Sequence, residues 1–346
     1  MLLPLSESDY LSTLEVAKEA FLLTGIKRGD KVLDLHPPGS HLNVYGALNL
    51  LEALTIPWQI QTPYQLLILM KRSGATVLIS SVSRLLQIIQ IAGKYKFNLK
   101  QLRLRLIITN SEILTPAAHR LIESQFHIPC KEIFAGTEYN VIAYGCYENK
   151  DDVTYHHMEK PTIMEIVNDK GNHSDEGEMV LTNLFRYDYP IIRYKTGNHV
   201  RLNTKMCHCQ CNNFSFNAIG RNDNQIRFQL KNLLPQELFN TIESFKEVKD
   251  YRIELRNYLY KEDMIIKIVP GKRFNKTVKN KIFEIFNEKY GLDCRVYIVP
   301  GFWYDYTLNK TGKLRDFRDG ISVTNVNNDL FGKLIRKIYE FLYFPF

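Results

Sequence analysis

The sequence predicts an α/β protein with a mostly parallel sheet, an antiparallel β region and a small α+β unit at the C-terminal side. Three observations carry that expectation. Up to about residue 135, short apolar runs alternate with stretches of helical periodicity, the pattern of βα units. From about residue 160, strand-like runs follow one another with turn residues such as Asn172 and Gly177 between them. After Gly220 a third pattern begins, in which helices and strands alternate over about 100 residues, the size of a small domain.

The elements follow in order. Ser8 and Asp9 can cap a helix over 8–25, in which Tyr10, Leu11, Leu14, Ala17 and Ala20 fall at helical spacing. Lys27-Arg28-Gly29-Asp30 ends it, and Lys31–Leu35 reads as a short buried strand. Helices are expected over 43–55, 64–74, 82–95 and 115–126. Strands are expected at 76–79, 104–109 and 131–134. The antiparallel region is expected to hold strands at 162–167, 178–183 and 187–194. The last unit reads as helix 236–246, strands 250–256 and 263–268, helix 275–289 and strand 294–299. The expected domains are therefore 1–219, β-rich from about 160, then 220–320, and a tail over 321–346. In that tail Leu330, Leu334, Ile338 and Leu342 share helical spacing with Lys333, Arg336 and Lys337 between them. Such a helix either packs on its own protein or lies on a membrane surface.

Composition narrows the function classes. The 346 residues carry 45 Lys and Arg against 37 Asp and Glu, a formal charge of +8. That excess suits small anionic ligands, and no block of five or six basic residues supports nucleic-acid binding. No apolar run reaches the roughly 18 residues a membrane helix needs, and the N-terminal segment lacks the pattern of a secretory leader. A cytosolic location is the expectation. Of the six cysteines, Cys207, Cys209 and Cys211 fall within five residues, and in a cytosolic chain such clustering favours metal over disulfides. Cys130 and Cys294 read as core residues.

Three separated segments carry the chemistry. The first is Glu132-Ile133-Phe134-Ala135-Gly136-Thr137-Glu138, at a strand end. The second is Pro190-Ile191-Ile192-Arg193-Tyr194-Lys195-Thr196-Gly197-Asn198, followed by Gly220-Arg221-Asn222-Asp223-Asn224-Gln225-Ile226. The third is Asn309-Lys310-Thr311-Gly312-Lys313-Leu314-Arg315. Thr311-Gly312-Lys313 is not a Walker loop, because the position five before Gly312 is Thr307. In this order the segments, within a likeness running from about residue 5 to 320, resemble the adenylate-forming ligases. The branch they most resemble is that of phenylacetate–CoA ligase and coenzyme F390 synthetase, with its capsule-associated relatives.

The resemblance implies roles residue by residue. Phe134 would stack on adenine, and Ala135 and Gly136 would let backbone approach the base. Thr137 would bond the α-phosphate and Glu138 would hold Mg²⁺. Asn198 stands where the family has an aspartate gripping both ribose hydroxyls, and an amide lacks the charge-assisted bonds of a carboxylate. Arg221 matches an arginine that contacts the nucleotide, and Asp223 a hinge about which the small domain swings. Lys313 would reach the active site during adenylation and neutralise charge developing at the α-phosphate. Close relatives place a Cys, a His and a Cys-x-Cys pair at the positions of Cys146, His156, Cys207 and Cys209, a set suited to a structural Zn²⁺. His157 could replace His156, and His208 and Cys211 are spare candidates.

Other positions depart from the family. Phe134–Ala135 replaces Tyr-Gly and Leu230 replaces a glycine. The Ser/Thr/Gly-rich loop that wraps ATP phosphates precedes, in the family, the part resembled here. Two functions follow from the resemblance. One is ATP-dependent activation of a carboxylic acid and its transfer to CoA or another acceptor, with the phosphate loop supplied separately, by a complementing chain. The other is a degenerate, inactive nucleotide-binding or scaffold relative. Exposed apolar surface would invite a partner chain or a homo-oligomer.

Overall fold

The computed structural model describes residues 4–35, 38–56, 63–112, 114–146, 153–204, 207, 209, 211, 213–221, 226–229, 231–258, 261–302 and 314–316. They divide into two compact units. The larger holds residues 4–226 and 232–240, and the smaller holds 227–231, 241–302 and 314–316.

The larger unit begins as a three-layer α/β structure. Its elements are α1 (Glu7–Thr24), β1 (Lys31–Asp34), α2 (Pro38–Leu50), β2 (Leu54–Ile56), α3 (Pro63–Ser73) and β3 (Val77–Ser80). These are followed by α4 (Val82–Lys94), β4 (Leu106–Thr109), α5 (Pro116–Phe126) and β5 (Cys130–Gly136). The strands pair in parallel in the order β2-β1-β3-β4-β5. Strand alternation sends Leu33, Leu78 and Ile107 to one apolar cluster with Leu66, Leu85 and Ile122 of α3, α4 and α5. It sends Val32, Val77, Ile79 and Ile108 to another with Val16, Ala20, Phe21 and Leu48 of α1 and α2. Both sheet faces are thus covered, which explains why these strands read as continuous apolar runs.

Six further strands extend the same sheet: β6 (Asn140–Cys146), β7 (Thr154–His157), β8 (Thr162–Val167), β9 (Glu176–Asn183), β10 (Tyr194–Leu202) and β11 (Ser215–Arg221). Among the described residues the sheet has eleven strands, and past β5 its order is β6-β7-β11-β10-β9-β8, paired antiparallel throughout. The expected fold class is therefore observed, a mixed α/β chain with one large sheet, parallel in one half and antiparallel in the other.

Several expected elements are corrected. The helix expected over 43–55 ends at Leu50, where Glu52 takes a left-handed backbone (φ 53°) and the chain enters β2. Thr55 and Ile56 are β-branched and sit well on a pleated surface. Residues 187–193 are not a strand. The backbone N–H groups of Tyr187 and Tyr189 donate to the buried Asp9 carboxylate at 2.8 and 3.0 Å, Pro190 has no N–H, and Arg193 is at φ 47°. The antiparallel region begins at β6, about twenty residues before its expected start. Strands β6 and β7 escape sequence reading because β7, Thr-Tyr-His-His, is polar yet buried throughout, and β6 has no alternation.

In the smaller unit β14 (Val248–Tyr258), β15 (Lys261–Pro270), α7 (Lys276–Tyr290), β16 (Cys294–Ile298) and β17 (Leu314–Asp316) make a four-stranded sheet in the order β16-β15-β14-β17. Two short strands, β12 (Ile226–Phe228) and β13 (Lys231–Leu233), and the helix α6 (Pro235–Glu243) precede it.

Candidate functional site

The strongest gathering of expected site residues lies where β5 turns into β6. Register pairs Gly136 with Asn140 across this hairpin, and a bulge falls between Phe134 and Ala135. The bulge re-aims successive side chains. Ala135 packs beside the cluster of Ile133 and Val141, whereas Phe134 packs into a separate cluster with Tyr139, Tyr155 and Phe216. The Phe134 ring meets Tyr155 edge-on at 5.1 Å and Phe216 at 5.5 Å between centroids. At the tip, Thr137 is exposed and Glu138 half-buried.

Asn198 reaches the same place from β10. It is buried, stands opposite Arg221 of β11 in the antiparallel register, and donates from Nδ2 to the hydroxyl of Tyr139 at 3.0 Å. Burial, outweighing the Asn198 bond and the nearby Arg221 charge, pushes the Tyr139 phenol up to about 12. Phe134, Gly136, Asn198 and Arg221, drawn from segments up to 87 positions apart in number, thus surround Tyr139. Asp223 and Lys313 lie outside the described residues. The three residues after Lys313 form β17, paired with β14 through Leu314 opposite Ile253.

Sequence reading missed two residues of this site. Tyr139 directly follows the motif carboxylate, and its only signal was an aromatic residue with a polar tip in a turn. Arg186 lies just before the second motif. It is 6% exposed, donates from Nη1 to the Glu138 carbonyl at 2.9 Å, and its Nε has no partner among the described residues. Burial lowers its pKa, countered by the Asp9 charge.

A second site is built on β6, β7 and the segment between β10 and β11. Register places Tyr144 opposite His156 and Cys146 opposite Thr154, and β11 brings Ser215 opposite His156. One ligand atom from each of Cys146, His156, Cys207 and Cys209 lies within 4.8 Å of all the others. The Cys207 and Cys146 sulfurs are 3.6 Å apart, and the Cys209 sulfur is 3.2 Å from Nε2 of His156. Tetrahedral zinc with Zn–S near 2.3 Å sets ligand atoms about 3.8 Å apart, so this set fits. Burial lowers the His156 pKa, which favours the neutral imidazole that binds metal. His157 does not join this set. It is buried, its Nε2 lies 2.7 Å from the Thr162 hydroxyl, and burial pushes its pKa down to about 4. Cys211 lies 3.3 Å from the Tyr144 hydroxyl, beside the cluster, and His208 lies outside the described residues.

No protein-family model and no curated protein matches the chain. Solved structures do. The structure of 2-hydroxyisobutyryl-CoA ligase in the postadenylation state, in complex with 2-HIB-AMP, aligns with 97% of this chain and 73% of its own, at 14% identity and a TM-score of 0.75. The anthranilate CoA ligase AuaEII in complex with anthranoyl-AMP matches 85% of this chain and 60% of its own, at 12% identity and a TM-score of 0.60. Apo MatB from Rhodopseudomonas palustris matches 96% of this chain and 65% of its own, at 15% identity and a TM-score of 0.60. The chain has the fold of adenylate-forming ligases.

Proposed function

We propose that this chain is an adenylate-forming ligase-like protein whose β5–β6 turn, β10 and β11 bind an adenine nucleotide. The observation that supports this most is the convergence of Gly136, Asn198 and Arg221 on one point of that fold. The matched hydroxyisobutyryl ligase holds an acyl-adenylate at 14% identity, so substrate and activity come to this chain only by proposal. In the reaction so assigned, a carboxylate oxygen attacks the α-phosphorus of ATP and pyrophosphate leaves. A thiol such as that of CoA then attacks the acyl carbon, and AMP leaves.

Thr137 would bond the α-phosphate, Glu138 would hold Mg²⁺ and Lys313 would offset charge on the α-phosphate. The Arg186 bond to the Glu138 carbonyl would fix the turn that carries both. The smaller unit would swing about Asp223 between the two half-reactions. Zn²⁺ on Cys146, His156, Cys207 and Cys209 would be structural, because four protein ligands leave no open position. A small carboxylic acid, with a complementing chain or a second copy of this one, completes the partners, and the setting is the cytoplasm.

The test is ATP–pyrophosphate exchange with a panel of carboxylic acids, with and without Lys313→Ala. Exchange in the wild-type chain that is lost in the variant supports the assignment, provided thioester formation from preformed acyl-adenylate persists. Unchanged exchange in the variant removes Lys313 from the mechanism. A second reading, a nucleotide-binding or scaffold protein that no longer adenylates, draws support from the amide at position 198 and its engagement with Tyr139.

A further inference from the structure

The place assigned to the nucleoside is filled by the chain's own side chain. A Cβ built on Gly136 would stand 2.4, 2.6 and 2.7 Å from Cζ, Cε1 and Oη of Tyr139. The open face of this glycine, which would admit a base, is therefore covered by the tyrosine ring. The phenol end of the same ring takes the Asn198 amide at 3.0 Å, the group assigned to the ribose. The Phe134 ring, assigned to stack on adenine, is half-buried against Tyr155 and Phe216. Tyr139 is 3% exposed and Asn198 8%. Tyr139 thus makes, within the protein, the contacts with Gly136 and Asn198 that the reading above reserves for a ligand.

We infer that Tyr139 is a built-in occupant of the nucleoside position, and that nucleotide binds only when its side chain leaves. The inference rests on the reading of this site as a nucleotide site. Tyr139 then sets affinity by competition. If the ring is withdrawn in about one molecule in a hundred, apparent affinity falls about a hundredfold below that of the open site. Such a chain would respond to nucleotide only at high concentration, or when a partner holds Tyr139 open.

Calorimetric titration of AMP with Mg²⁺ into the full chain tests this, using wild type, Tyr139→Ala and Tyr139→Phe. The phenylalanine variant keeps the ring and core volume, so it stays informative if the alanine variant does not fold. The expected result is AMP binding at least about tenfold tighter in the alanine variant, with phenylalanine in between because it frees the Asn198 amide. Adding Asn198→Ala to either variant should abolish the gain, which assigns the gain to this site. Equal or weaker binding in both Tyr139 variants than in wild type overturns the occupant and leaves the nucleotide site standing. Absence of AMP binding in every folded variant overturns the nucleotide reading, and the occupant with it.

Discussion

The sulfur of Cys207 stands 3.6 Å from the sulfur of Cys146, across 61 positions of sequence. A disulfide would bring them to about 2.05 Å, whereas an edge of a zinc tetrahedron falls near the observed separation. Strand pairing explains the meeting, since β6 and β11 both flank β7 in the sheet order.

Purified protein is accordingly expected to carry about one zinc per chain, measured by elemental analysis. Chelation should lower the melting temperature, and Cys146→Ser or Cys207→Ser should lose the metal and the same stability. Cys211→Ser should keep both, because Cys211 is outside the four-ligand set. Stable protein without zinc would refute the site.

Gly177 in β9 predicts a large stability effect from one methyl group. A Cβ there would lie 2.1 Å from the Val167 carbonyl oxygen and 2.7 Å from its carbon, both backbone atoms of β8. No rotamer relieves such a clash, so β8 has to shift. Gly177→Ala should cost about 3 kcal/mol or more in denaturant unfolding. Gly93 in α4 is the contrast: a Cβ there meets nothing within 4 Å. Gly93→Ala should stabilise by about 0.5–1 kcal/mol, the helix propensity difference. Equal effects of the two substitutions would contradict this packing.

Asp30 fastens the start of β1 to the rest of the parallel layer. Its carboxylate accepts from the Lys27 N–H at 2.7 Å, the Thr76 hydroxyl at 2.8 Å, and Arg105, whose Nε lies at 2.9 Å and whose Nη2 pairs with the other oxygen. Arg105 Nη2 also donates to the Gly25 carbonyl at 2.9 Å. Burial raises the Asp30 pKa, but the Arg105, Lys27 and Thr76 bonds outweigh it and hold the carboxyl below its usual 3.8. Because the folded value lies below the unfolded one, the unfolded chain binds the proton first as pH falls. The stabilisation is therefore complete above about pH 4–5 and is lost on acidification through the folded pKa. Asp30→Asn should cost about 2 kcal/mol at pH 7 and less below pH 4. A stability difference independent of pH would show that the charge is not what holds this junction.

How much of this was legible beforehand depends on how local each cause is. Helix α1 was readable from the helical spacing of Leu14, Ala17 and Ala20, but its caps were not: Ser6, rather than the expected Ser8 or Asp9, accepts from the Asp9 N–H, and Gly25 at φ 100° ends it ahead of Lys27–Asp30. Strands β1, β3 and β4 were readable because burial on both faces leaves an unbroken apolar run. Strand β7 was not, because its histidines are buried beside partners far along the chain, and Tyr155 donates to Glu132 at 2.7 Å. The Cys-x-Cys pair was visible as spacing. That His156 rather than His157 joins it was not, since adjacent residues of β7 point to opposite faces and the rest of the sheet decides which face meets the cysteines.

The sequence by itself determined the alternating α/β half, the α+β unit after it and the identity of the motif residues, because periodicity, caps and spacing act over a few positions. Only the tertiary structure decided where the sheet turns antiparallel, that Asn198 faces Arg221, and that the Tyr139 ring lies on Gly136. Those follow from strand register, and register is set by the combined packing of both sheet faces rather than by any single segment.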